Sequence, residues 1–156
     1  MEHVFWIYPG ELAGRPGPTV APWDLDQLRA SGIDLILSTA TDLFPHSECV
    51  KAGIARVCIP FPDVLPPDQR VLELCRSNLR LSLELLQETI DSGQTVLVHC
   101  AGGCDRTGLV LARYMTHRES ISAAQAIARL RSIQPYTLSA EGWEEMALRL
   151  ISEELG

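Results

Sequence analysis

The chain has 156 residues, of which 46% are hydrophobic, which is enough for one substantial core and too little for two. We therefore predict a single domain over residues 1–156. The formal net charge of -7 argues against nucleic acid as a partner, because a polyanion attracts clustered Lys and Arg, and the 13 basic residues are spread along the chain.

The sequence also bears on where the protein works. No stretch approaches the roughly 18 uninterrupted apolar residues of a membrane span, and the first residues lack the basic and then apolar pattern of a secretion signal. Five cysteines without dense, regular spacing fit a reducing compartment, and the absence of a Cys-x-x-Cys pair argues against structural zinc. We expect a cytoplasmic protein that is a monomer.

Short apolar runs alternate with longer helical patterns, which predicts an α/β fold with a central, mostly parallel sheet flanked by helices. In the first half of the chain, strands are expected at residues 4–8, 35–38 and 55–59, helices at 23–31 and 45–52, and a loop at 14–22. Residues 60–68 contain four prolines, each of which removes a hydrogen-bond donor, so this segment is predicted to be an irregular loop.

The second half of the chain is predicted to be mainly helical. Apolar residues at intervals of three and four indicate one long amphipathic helix over residues 68–91. An apolar, β-branched run at 95–98 predicts a central strand, and helices are expected at 107–118, 122–132 and 139–155. Ser122 and Ser139 are expected to cap the last two helices.

The stretch HCAGGCDRTG, residues 99–108, joins the predicted strand to the helix after it. A strand end, a glycine-containing loop and a helix N-terminus direct several backbone N–H groups to one point, which favours an anion. Gly102 and Gly103 are expected to adopt unusual dihedral angles, and Arg106 returns a planar set of donors to the same point. A thiolate at Cys100 is stabilised there and is expected to act as a nucleophile, assisted by the Thr107 hydroxyl.

These residues resemble the Cys-x5-Arg-Ser/Thr loop of the cysteine-dependent protein tyrosine phosphatase superfamily. The order of the elements is similar to that of small atypical dual-specificity phosphatases. The resemblance implies a dual-specificity phosphatase-like fold and a phosphocysteine intermediate on Cys100, with no metal and no cofactor. It also implies that phosphate binds to Ala101, Gly102, Gly103, Cys104, Asp105 and Arg106, that His99 orders the loop, and that Asp63 is the general acid.

The sequence departs from the family pattern at three places. Asp105, next to Arg106, offers a second possible acid, as in myotubularin-like phosphatases. Ala101 and Gly103 stand where phosphoinositide-selective relatives have lysines. Gln134 replaces an expected arginine, and Trp143 lies near a position that is often glutamine, so no residue is assigned to position water.

The preferred substrate is a phosphoprotein carrying phosphotyrosine, with phosphoserine and phosphothreonine also open. A phosphoinositide or inositol phosphate phosphatase, a rhodanese-like sulfurtransferase and a non-catalytic phosphate-binding module are the alternatives.

Several further side chains have an expected role. Cys58 and Cys104 are expected to be small apolar fillers rather than resolving thiols. Trp6, Trp23 and Trp143 are expected to be packing residues. For Arg15, a second phosphate site and a solvated loop both remain open.

Overall fold

The computed structural model describes residues 1–41 and 46–156. A five-stranded sheet has the order β1-β2-β5-β3-β4, in which only the β1–β2 pair is antiparallel. The α/β prediction with a mostly parallel sheet is therefore confirmed. The strands are β1 (Phe5–Tyr8), β2 (Leu12–Pro16), β3 (Leu35–Ser38), β4 (Ala55–Cys58) and β5 (Val96–Cys100).

Helices flank this sheet, and several begin at residues that cap them. The Asp68 side chain accepts the backbone N–H of Val71, and Ser122 forms a reciprocal capping box with Gln125. The helices are α1 (Leu25–Ala30), α2 (His46–Ala52), α3 (Gln69–Asp91), α4 (Arg106–Glu119), α5 (Ala123–Ile133) and α6 (Trp143–Leu155). The predicted helix over residues 45–52 is confirmed from His46 onward, and Pro45 lies outside the described residues.

Strand β5 occupies the centre of the sheet, and all five of its residues are buried. Because successive strand residues point to opposite faces, Val96 and Val98 enter the larger apolar cluster, and Leu97 enters the smaller one. The larger cluster packs the sheet against α3 to α6. In the described ranges, no helix is both long enough and apolar enough to cross a bilayer.

The prediction of a loop at residues 14–22 is wrong at its start, because β2 extends to Pro16. The segment pairs in parallel with β5, from Leu12 opposite Val96 to Pro16 opposite Cys100. Gly14 lies under the Phe5 ring, where a Cβ would come within 2.3 Å of the ring. The glycine therefore serves close packing inside the sheet.

Two other predicted boundaries also differ from the structure. The strand expected at residues 95–98 continues to Cys100, because both β2 and β3 offer it hydrogen-bonding edges. Helix α6 begins at Trp143 behind Gly142, so the prediction that Ser139 caps it is wrong. Residues 134–142 instead form a turn-rich segment that contacts the loop after β5.

Candidate active site

The parallel strands β2, β3, β4 and β5 all end at one edge of the sheet, which is where ligands bind in open α/β folds. Cys100 is the last residue of β5 and is 3% exposed. Arg106 is the first residue of α4. The intervening residues 101–105, called here the cysteine loop, connect the central strand to the start of a helix, as the sequence predicted.

Backbone hydrogen bonds hold the cysteine loop at both ends. The Gly17 N–H donates to the Ala101 carbonyl oxygen at 2.8 Å, and the Leu138 N–H donates to the Cys104 carbonyl oxygen at 3.1 Å. Gly103 has a φ of 72°, and a Cβ there would lie 2.8 Å from the Pro16 nitrogen, so only glycine fits. Gly102 is exposed and does not have a positive φ, so the expectation of a left-handed backbone is confirmed for Gly103 and not for Gly102.

His99 is fully buried behind the cysteine. Its Nδ1 lies 3.1 Å from the Cys100 carbonyl oxygen, and its Nε2 lies 2.6 Å from the Ser38 hydroxyl. Because a carbonyl oxygen only accepts, Nδ1 carries the hydrogen, and Ser38 donates to Nε2 in the neutral ring. Arg56 Nε donates to the same hydroxyl at 3.0 Å, and the Trp23 ring meets the imidazole edge to face.

Thr107 lies in the first turn of α4 and is fully buried. Its hydroxyl has no hydrogen-bond partner among the residues that the structure describes. Buried hydroxyl groups are nearly always paired, because an unpaired one loses its hydrogen bonds to water without replacement. The site thus keeps one donor unused next to the cysteine loop.

Asp105 turns toward the 134–142 segment. Its Oδ1 accepts the Ala140 N–H at 3.3 Å, and its side chain makes no capping hydrogen bond to α4. Burial raises the pKa of this carboxyl group above its ordinary value, and the nearby Asp63 carboxylate raises it further. The Ala140 hydrogen bond and the Arg106 guanidinium act in the opposite direction.

Asp63 is exposed, in the proline-rich loop of residues 60–68. Two bonds anchor the start of this loop: the Phe61 N–H donates to the Thr39 carbonyl at 2.9 Å, and the Asn78 side chain donates to the Pro60 carbonyl at 2.7 Å. Asp63 follows the end of β4 by five residues, and Asp105 follows the end of β5 by five residues. The structure therefore brings both candidate acids to the same edge of the sheet as the cysteine loop.

The two remaining cysteines considered for the site differ from each other. Cys104 is half-buried, its thiol lies 3.4 Å from the Gly102 carbonyl oxygen, and burial raises its pKa. Cys58 is exposed at the end of β4, an edge strand, so the expectation that it fills apolar space is wrong. Both end residues of β4, Ala55 and Cys58, are exposed, and the two residues between them are half-buried.

Arg15 matches neither of the two expectations, because it is 1% exposed and its guanidinium bonds to backbone carbonyls. It donates to the Ala21 and Pro22 oxygens, both at 2.9 Å, and burial lowers its pKa. It therefore ties the chain before α1 to β2.

The three tryptophans pack as expected. Trp143 is buried in the larger cluster, which leaves it unable to position water, and Trp6 and Trp23 pack against the smaller cluster.

Three residues that contact the site from distant parts of the chain were not predicted from the sequence: Ser38, Asn78 and Gly17. The only signal for Ser38 was a polar residue at the end of an apolar run.

A comparison with protein families shows to which family the chain belongs. A family model described as "PTP-SAK: Swiss Army Knife protein, DSP-PTPase phosphatase domain" matches residues 1–147. The chain belongs to this family. As a DSP-PTPase domain, it has the phosphatase framework that the order of its elements suggested.

Individual relatives agree with the family. This DSP-PTPase domain is 26% identical over 143 residues to dual specificity protein phosphatase 12 of Rattus norvegicus, covering 91% of the chain and 39% of the relative. It is 26% identical over 112 residues to tyrosine-protein phosphatase cdcA of Emericella nidulans, covering 71% of the chain and 18% of the relative. The chain thus spans less than half the length of these curated relatives.

Solved structures share the fold. Tk-PTP in the active form has a TM-score of 0.78 at 22% identity, covering 97% of this chain and 97% of that one. Human DUSP28 has a TM-score of 0.75 at 17% identity, covering 100% and 97%. PTPMT1 in complex with PI(5)P has a TM-score of 0.72 at 15% identity, covering 92% of each.

Proposed function

We propose that this DSP-PTPase domain hydrolyses phosphate monoesters on protein tyrosine, and on serine and threonine, through a phosphocysteine intermediate. One observation carries the proposal: Cys100 ends the central strand, and Arg106 begins the next helix across a loop held at both ends. Membership in a phosphatase family agrees with it. The site residues proposed are Cys100, Arg106, Asp63, Thr107, His99 and the cysteine loop.

In the first half-reaction, the Cys100 thiolate attacks phosphorus. A sulfur–phosphorus bond forms, the bond from phosphorus to the substrate oxygen breaks, and Asp63 donates a proton to that oxygen. Arg106 binds two equatorial phosphate oxygens, and backbone N–H groups of the cysteine loop stabilise the charge that develops.

In the second half-reaction, water attacks the phosphocysteine. Asp63 accepts the proton of this water, the phosphorus–sulfur bond breaks, and inorganic phosphate leaves. The unpaired hydroxyl of Thr107 donates to the departing sulfur, which gains negative charge as the bond breaks. His99 acts through the Cys100 carbonyl group that it contacts, by holding the cysteine in position.

Asp63 is preferred to Asp105 as the acid. The Asp105 carboxylate already accepts the Ala140 N–H and turns to the 134–142 segment. Asp63 is exposed on an anchored loop, so its carboxyl group is accessible to the leaving oxygen of a bound substrate.

The decisive experiment is a pH profile of metal-free phosphatase activity for the wild type, Asp63→Asn and Asp105→Asn, with Cys100→Ser as the blank. We expect Asp63→Asn to lower kcat about 100-fold with a poor leaving group and much less with para-nitrophenyl phosphate, which needs little protonation. We expect Asp105→Asn to keep most of kcat.

Three other outcomes would contradict the proposed acid, the proposed nucleophile or the proposed activity. If Asp105→Asn alone loses kcat with the poor leaving group and keeps it with para-nitrophenyl phosphate, Asp105 is the acid and the assignment of Asp63 is wrong. Turnover by Cys100→Ser rejects the phosphocysteine. If the wild type binds phosphopeptides but never turns them over, the domain is a binding module. The natural partner is proposed to be a cytoplasmic phosphoprotein, bound by a monomer.

A further inference from the structure

A groove of 580 Å³ lies between the proline-rich loop and α6, separate from the cysteine loop. Its apolar surface comes from Leu65, Leu72 and Met146, and its charged rim from Glu141, Glu145 and Arg149. This volume falls within the range of pockets that bind small ligands or individual side chains. The mechanism proposed above makes no use of the groove.

The groove adjoins the candidate active site. Leu65 follows Asp63 by two residues, and its Cδ1 lies 3.2 Å from the position of a Cβ on Gly142. On the other side, Ala140, next to Glu141, donates its N–H to Asp105, the neighbour of Arg106. The groove therefore lies beside the loop that carries Asp63 and beside the segment that contacts the cysteine loop.

The charge of the groove is negative. Glu141 and Glu145 are both exposed on its rim. Arg149 bonds to Glu153 at 3.2 Å and shares this carboxylate with Arg76, which bonds to it at 2.9 Å. Arg131 bonds to Glu144 at 2.9 Å. The two rim glutamates, Glu141 and Glu145, therefore outnumber the single arginine of the lining. A cationic side chain that enters over the apolar floor gains favourable interactions with two carboxylates, and an anionic one is repelled.

We propose that the groove binds the residues that flank the phosphorylated residue of a protein substrate and selects an apolar side chain followed by Lys or Arg. This inference rests on the proposed function for the placement of the phosphate, and it narrows the substrate class. Long side chains of Lys and Arg suit such a site, because their methylene stems cover apolar surface while their charged ends reach the rim. The additional phosphates of an inositol headgroup are repelled by the same two carboxylates, those of Glu141 and Glu145.

The test measures binding in the Cys100→Ser background, so that turnover does not consume the probe. Two fluorescent phosphotyrosine peptides differ only in the flanking pair, Leu-Lys in one and Leu-Glu in the other. We expect the first to bind about fivefold to tenfold more tightly, since the two exposed carboxylates of the rim attract its lysine and repel the glutamate of the second. Added salt should reduce the ratio.

Matched variants locate the effect. Glu141→Gln with Glu145→Gln should bring the ratio of affinities to within about twofold of unity. The control replaces two exposed glutamates of α3 that lie outside the groove, Glu84→Gln with Glu88→Gln, and should keep the ratio. Equal binding of the two peptides, or an unchanged ratio in the groove variant, overturns the inference.

The proposed phosphatase activity and the proposed role of the groove can be tested independently of each other. Wild-type turnover of para-nitrophenyl phosphate, which is too small to fill the groove, reports only on the phosphatase activity. A charge preference without turnover supports the groove and rejects the enzyme, and turnover without a charge preference does the reverse. Tighter binding to phosphoinositide-containing phosphatidylcholine vesicles than to either peptide overturns the assignment of the groove to peptides.

Discussion

The Thr107 hydroxyl is a buried donor without a partner among the described residues, and this makes the residue a sensitive probe of the proposed chemistry. Thr107→Val keeps the shape of the side chain and removes the hydroxyl. We expect unfolding free energy to stay unchanged or rise by about 1 kcal/mol, because an unsatisfied group is lost. We expect kcat to fall about 10-fold to 100-fold, because the sulfur leaves without its hydrogen-bond donor.

Rapid-quench kinetics and thermal melts measure the two effects of Thr107→Val. A phosphocysteine that accumulates as a burst before slow turnover places the defect in the second half-reaction. A variant that is less stable and shows no burst would mean that the hydroxyl serves the fold.

Asp105 supplies a prediction on pH, because burial raises its pKa above the ordinary value of 3.8. Stability from its protonated form is fully present below that value and is lost as pH rises through the raised pKa of the folded state. Asp105→Asn keeps an oxygen for the Ala140 N–H and carries no charge. We expect its Tm to exceed that of the wild type by about 1–3 °C at pH 7 and to match it below about pH 4.

Calorimetric scans between pH 3 and pH 8 check the behaviour of Asp105→Asn, with Glu84→Gln as the exposed control. A difference in Tm that is the same across this pH range would show that the ionised carboxylate carries no penalty in the folded protein.

Single residues also show where sequence reasoning stops. The placement of Cys100 and Arg106 at the two ends of one loop was predictable, because strand end, glycine and helix start lie within one short stretch. The contact between His99 and Ser38 was not, because the two residues are 61 positions apart and meet only through the register of β3 and β5. The exposure of Cys58 likewise follows from the edge position of β4, which its composition does not reveal.

At the scale of elements, α3 acts on the site through one polar residue on its buried face. Asn78 donates to the Pro60 carbonyl and so fixes the start of the loop that carries Asp63. We expect Asn78→Ala to lower kcat about threefold to 30-fold with poor leaving groups, and less with para-nitrophenyl phosphate. The loss of this buried hydrogen bond should also reduce the unfolding free energy by about 1–2 kcal/mol.

Steady-state assays across a series of leaving groups test the role of Asn78. Ser82→Ala is the matched control: Ser82 lies one turn along the same face of α3, and its buried hydroxyl has no partner in the described residues. Equal losses of kcat for all leaving groups in Asn78→Ala would contradict a role in placing the acid.

Two elements could not be predicted from local pattern. Strand β2 contains Gly14 and Pro16, which favour turns, yet its pairing with β5 outweighs that preference. The start of α6 was placed too early because Ser139 offers a plausible cap, whereas residues 134–142 are held by contacts with Cys104 and Asp105. In both cases a tertiary contact overrides a local preference.

On the scale of the whole molecule, Arg15 joins segments that secondary structure leaves apart. Its guanidinium donates to the carbonyl oxygens of Glu2, Ala21 and Pro22. We expect Arg15→Met to lower the unfolding free energy by about 2–4 kcal/mol, because several buried carbonyls lose their donors. Arg29→Met, which removes a half-exposed ion pair with Asp34, should cost less than about 1 kcal/mol.

Urea denaturation measures both arginine variants. Limited proteolysis should show earlier cleavage within residues 16–24 for Arg15→Met, since that segment loses its attachment to β2. Comparable stability losses in the two variants would show that the buried hydrogen bonds contribute no more than a surface ion pair.

The order of the strands in the sheet differs from the order in which they are synthesised. Synthesis starts at the amino end, so β1 to β4 are made before β5, the strand that lies between β2 and β3 in the folded sheet. The final residue of this last strand is Cys100. The backbone contact from Leu138 to the cysteine loop comes later still. The surroundings of the thiol are therefore complete only after the strand that joins the two halves of the sheet, and the segment that contacts the cysteine loop, have both been synthesised.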